Sequence, residues 1–149
     1  MKKQGFSLVE LLAVVAIIAI LIILVLPNVV ELYNDSKKNT FLIEVKSIFN
    51  SADMSYMKQS FDDGNGIVFY RLNGDENAVP LSGRQIYYYV KITKSANIIE
   101  MLVWDGTYTL KKKDINGIKI ADLTTDDIVT DMDNSNLTLE DIKLLFYGS

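Results

Sequence analysis

The chain has 149 residues, a net charge of −4, and neither cysteine nor histidine. Without cysteine no disulfide can staple the fold, and without histidine the commonest general base and transition-metal ligand are missing. Nucleophilic hydrolysis through a Ser–His or Cys–His pair is therefore excluded by composition. Two of the 15 basic residues, Lys2 and Lys3, precede an apolar run, and only one of the 19 acids, Glu10, lies inside it. The remainder is acidic, which disfavours nucleic acid as its main partner.

The N-terminal run extends from Phe6 to Val30, interrupted by Glu10, Pro27 and Asn28. A bilayer core needs about 20 apolar residues in a helix, and Lys2–Lys3 orient the segment with its N-terminus inside. A cleaved secretory signal would have a shorter apolar region ending at small residues. This run is longer and ends in LVLPN. An ordinary anchor with Glu10 at headgroup level satisfies hydropathy but gives the carboxylate no purpose.

The string KKQGFSLVELL resembles the leader and first helix of type IV prepilins. The match lies in the basic start, in Gly5 followed by Phe6, and in Glu10 four residues later within an apolar helix. Pro27 also falls where many pilins carry a helix-disturbing proline. The resemblance implies cleavage between Gly5 and Phe6 by a prepilin peptidase, then methylation of the new amino group on Phe6. Residues 1–5 form the leader, 6–30 the transmembrane and filament-core helix, and 31–149 the exported head. Glu10 would pair with the Phe6 amino group of a neighbouring subunit, since a lone carboxylate in a bilayer costs a few kcal/mol. The bland alternative is an interfacial glutamate with no partner. At Pro27 the loss of a backbone donor gives either a tolerated kink at the membrane exit or a point of local melting on assembly.

After Pro27, Val30, Tyr33, Phe41, Val45, Ile48, Ala52 and Tyr56 recur on one helical face, with Lys37 as an exception. The segment DDGNG at 62–66 stops the helix. IVFYRL, beginning at Ile67, suggests a short strand, followed by an irregular polar loop through Arg84. Residues 85–93 alternate, with Ile86, Tyr88, Val90 and Ile92 on one side and Tyr87, Tyr89 and Lys91 on the other. A turn at 94–97 leads to a strand over 98–104, with Ile99, Met101 and Val103 expected in the core. Asp105-Gly106 makes a hairpin into 107–112, and Asn116-Gly117 turns into a strand over 118–121. Thr138 caps a short C-terminal helix with Leu139, Ile142, Leu145 and Phe146 on its apolar face. The expected fold is α+β: a long N-terminal helix packed on a three- to four-stranded antiparallel sheet, closed by the short helix.

The sequence offers two other chemistries. DMDNSN at 131–136 has oxygen ligands at alternate positions, but Asn136 and Ile142 stand where a calcium loop needs glycine and glutamate. Lys111-Lys112-Lys113 near Tyr87, Tyr89 and Trp104 has the ingredients of a nucleic-acid surface, against an acidic total. The reading is thus a filament subunit without metal, cofactor or catalysis. Its expected partners are copies of itself, other pilins, the prepilin peptidase, an assembly platform and the membrane. Surface attachment or motility is the expected use. A secretion or competence pseudopilin and a non-polymerising membrane-anchored surface protein are the alternatives.

Overall fold

A computed structural model describes residues 5–59, 66–83, 86–95, 97–130 and 136–148. The chain divides into two compact units, Met1–Lys37 and Lys38–Ser149. The expected stop at 62–66, like the possible calcium loop, falls largely outside the described residues.

The first unit holds the start of α1, a 51-residue helix over Leu8–Lys58. From Phe6 to Val30 its large apolar side chains are exposed. Among the described residues this is one helix long and apolar enough to cross a membrane, and nothing in its most apolar stretch is buried. An all-round apolar surface is what lipid or an all-helical core requires. Pro27 lies inside α1, with helix on both sides.

In the second unit the same helix becomes one-sided. Phe41, Val45, Ile48 and Ala52 are buried at spacings of three and four residues, and Tyr56 and Phe49 pack beside them. Val30 and Tyr33, expected on this stripe, are instead exposed.

The strands are β1 (Ile67–Arg71), β2 (Glu76–Asn77), β3 (Tyr87–Ile92), β4 (Ile98–Trp104), β5 (Thr109–Lys113) and β6 (Ile128–Val129). They form one antiparallel sheet in the order β2-β1-β3-β4-β5-β6. The sheet therefore has six strands, not three or four. The two additions are the two-residue edges. β2 arises because Asn73-Gly74 turns the chain within the expected loop: Gly74 adopts φ +86°, and the Leu72 amide donates to the Asp75 carbonyl at 2.9 Å. The expected strand over 118–121 is absent. Gly117 (φ +101°) sits so close to Asn97 that a Cβ would meet its side chain at 2.8 Å. The Ile118 amide bonds to the Ile98 carbonyl, and the chain then leaves the sheet in a 3-10 turn over Ile120–Asp122.

Both faces of the sheet are covered. On one, Phe69, Tyr88, Val90, Ile92, Met101, Val103 and Leu110 meet the buried stripe of α1. Ile98, rather than the expected Ile99, completes that face. Lys91 opposes Glu100 while Ile92 opposes Ile98, so Ile99 is an extra residue in a bulge that shifts the alternation.

On the other face, Leu72, Tyr89, Leu102 and Trp104 lie under Ile142 and Phe146 of α2 (Leu139–Tyr147). Thr138 caps α2 as expected. Its side chain accepts from the Asp141 amide at 3.3 Å, and Asp141 accepts from the Thr138 amide at 2.9 Å. The far end is held by lysines of the sheet. Lys111 Nζ donates to the Leu145 carbonyl at 2.6 Å and Lys113 Nζ to the Phe146 carbonyl at 3.1 Å. Cations at a helix C-terminus complement its dipole. Beneath them Glu100 is only 1 % exposed. It accepts hydrogen bonds from the Tyr147 and Tyr89 hydroxyls, and Lys113 Nζ stands 3.8 Å away. Tyr147 in turn accepts from Lys91 at 2.9 Å.

Tyr147→Phe removes a donor from a buried carboxylate and should cost about 1–3 kcal/mol. Phe146→Ala should cost about 3 kcal/mol. Lys143→Ala, on an exposed pair with Glu140, should stay within about 0.5 kcal/mol. Urea unfolding of the full chain in detergent measures all three.

Stability should also fall at both ends of the pH scale. Burial alone would raise the pKa of Asp127, but the Thr124 amide and the Lys112 ammonium outweigh it and hold the group below 3.8. The Thr138 hydroxyl and amide likewise hold Asp141 low. Their stabilisation is present above the unfolded value and is lost as pH falls through the depressed one. Burial, and for Tyr89 the charge of Glu100, push Tyr88 and Tyr89 above 10.0. That contribution is complete below pH 10.0 and is lost as pH rises through the raised values. A urea midpoint that is flat between those limits and declines outside them is the expected profile.

Candidate processing and assembly site

Residues 1–4, with Lys2 and Lys3, lie outside the described residues. Gly5, Phe6 and Ser7 precede α1 in non-helical backbone, and Phe6 is 84 % exposed. A Cβ built on Gly5 meets nothing within 4 Å. Packing among the described residues therefore does not require glycine there.

The helix begins immediately afterwards for a reason carried by two side chains. The Ser7 amide donates to Glu10 Oε2 at 2.8 Å, and the Glu10 amide donates to Ser7 Oγ at 3.2 Å. This is a reciprocal capping box, which satisfies two of the amides that a helix start leaves without partners. The first rung follows from the Leu11 amide to the Ser7 carbonyl at 3.2 Å. Glu10 thus has partners within its own chain, which the reading of it as a lone carboxylate overlooked. The signal was present as S-x-x-E in SLVE.

The box brings Ser7 and Glu10 together and places the Gly5–Phe6 bond just outside the helix, while Pro27 lies farther along α1. The backbone position of Pro27 donates no hydrogen bond, so the Ile23 carbonyl lacks its usual helical partner. The other candidate chemistry resolves differently. Lys111 and Lys113 bind α2, and Lys112 donates to the Asp122 carbonyl at 2.5 Å and to Asp127 at 3.1 Å. The triplet that suggested a nucleic-acid surface is engaged within the fold. Among the described residues no group of three or more metal-ligating side chains occurs.

Residues 1–26 match the family model of the prokaryotic N-terminal methylation motif, the hallmark of type IV pilin and pseudopilin prepilins. The chain therefore carries a prepilin-type N-terminus over these residues. No curated protein and no solved structure matches it.

Ser7→Ala should weaken the helix start by about 1 kcal/mol, and Ser7→Thr should retain most of it. Hydrogen exchange in detergent micelles reads this directly, with the Glu10 amide of Ser7→Ala exchanging about fivefold faster than in the parent chain.

Proposed function

We propose that this chain is the structural subunit of a type IV pilus-like filament, serving surface attachment or motility. The observation that carries the reading is the methylation motif over residues 1–26 leading directly into a helix with no buried side chain in its apolar part. The subunit enters the membrane through residues 6–30 with its N-terminus inside and its head, residues 31–149, outside. A prepilin peptidase cuts between Gly5 and Phe6 and methylates Phe6. The assembly platform then draws the subunit into a helical bundle with its own copies and other pilins.

Glu10 acts at two stages. In the single subunit its carboxylate is occupied by the Ser7 amide, which lessens the cost of carrying a charge into lipid. After cleavage, Phe6 bears a cationic amine. Pairing Glu10 with that amine on an adjacent subunit offsets two charges in an apolar core and favours one register. Pro27 supplies a place where α1 can bend or melt as the subunit leaves the bilayer.

Gly5→Leu should leave the fold unchanged, because its side chain meets open space, yet should block removal of residues 1–5. Glu10→Ala should be inserted, cleaved and methylated but depleted from sheared filaments. Mass spectrometry of the N-terminus together with immunolabelled electron microscopy checks both. A parent chain that keeps residues 1–5 and never appears in filaments would overturn the proposal in favour of a stable anchor.

A further inference from the structure

Beyond filament formation, the geometry points to a binding groove for a neutral oligosaccharide on the head, running from Tyr87 past the β1–β2 turn to the start of α2. One cleft of about 400 Å³ is lined by Arg71, Asn73, Asp75, Glu76 and Tyr87 over Leu72. A second, of about 220 Å³, shares Leu72, Asn73 and Asp75 and reaches Thr138 at the cap of α2. Pockets of this order hold small ligands, which are fixed by a few placed polar groups.

The chemistry of the walls selects the ligand. Among the described residues Arg71 is the only cation lining either cleft, and its Nε is bonded to Glu76 at 3.1 Å. With Asp75 and Glu76 also present the local balance is negative, so a phosphate or a polyanion is disfavoured. Two carboxylates, one paired with Arg71 and the other accepting from the Tyr70 hydroxyl at 3.2 Å, fall short of a cation cage. A purely apolar ligand would strand these polar groups without partners.

A saccharide suits what remains. Its hydroxyls are both donors and acceptors, matching the amide of Asn73, the carboxylates and the guanidinium. Its C–H faces pack on an aromatic ring. Tyr87 offers that ring from a fixed position, because it stacks on Trp104 with centroids 5.6 Å apart and planes at 20°. Trp104 is itself 3 % exposed and is the chain's single tryptophan, so its emission reports on Tyr87.

The test uses the full, unassembled chain in a zwitterionic detergent, since a glycosidic headgroup would compete for the groove. Maltotriose, cellotriose, chitotriose and inorganic phosphate are titrated, read by saturation-transfer NMR and Trp104 emission. At least one trisaccharide should saturate with a millimolar-range Kd, and phosphate should not bind. Asn73→Ala, at an exposed turn, should weaken binding about fivefold, and Tyr87→Leu about tenfold or more. Lys143→Ala, on the exposed side of α2, should leave it unchanged. Circular dichroism confirms that each variant is folded, and Asn73→Ala keeps the test decisive should Tyr87→Leu unfold. No saturation by any of the three trisaccharides up to about 50 mM, binding of phosphate alone, or parent-like binding by a folded Asn73→Ala would overturn the assignment. The outcome is independent of whether filaments form.

Discussion

A carboxylate placed among apolar side chains must find donors, and this chain meets that constraint twice. Glu10 meets it with the amide of Ser7, at the start of a helix otherwise fit for lipid. Glu100 meets it with two tyrosine hydroxyls and a nearby lysine, under the helix that closes the head. In both places the acid ties one segment to another: backbone to helix start at Glu10, sheet to terminal helix at Glu100. Replacing either by an apolar residue removes the desolvation cost and the tie together. Both acids therefore fit roles in specifying geometry.

The remainder of the architecture follows from one change of pattern along α1. Where apolar residues surround the helix, its side chains are exposed. Where they narrow to Phe41, Val45, Ile48 and Ala52, the sheet covers them. A sheet buried on both faces needs apolar residues in both alternation sets. The strand YYYVKI supplies them, with Tyr88 and Val90 toward α1 and Tyr89 toward α2. Tyrosine suits such a strand because its ring packs while its hydroxyl reaches a partner, as Tyr88 does with the Val79 amide at 2.8 Å.

Most of this was legible from pattern. The helix stripe, the two sides of β3, the Asp105-Gly106 hairpin and the Thr138 cap rest on local spacing, and local spacing is what a sequence displays. Other features were written there and overlooked. Ser7-x-x-Glu10 is a capping box, and Asn73-Gly74 is a turn signal, though it leads into a strand of only two residues. A third group lies beyond local patterns. The bulge at Ile99 depends on how β4 pairs with β3, so alternation alone put Ile99 in the core, while the burial of Glu100 depends on α2 covering the other face. Lys111 and Lys113 of β5 read as a charged surface because their acceptors, the last carbonyls of α2, lie over thirty residues away in sequence. The saccharide groove has the same origin, since it gathers three strands and a helix cap that no motif connects.

The pinning of α2 by its final turn also concentrates the closure of one sheet face in very few residues. Tyr147 completes the partners of Glu100 across 47 residues of sequence, and Phe146 covers Tyr89. Without this turn the strands can pair and α1 can cover one face, but the other lacks Phe146, and Glu100 keeps Tyr89 while losing Tyr147. Loss of this turn would leave an apolar sheet face around an incompletely partnered carboxylate, the kind of surface that marks a chain as unfinished in its folding.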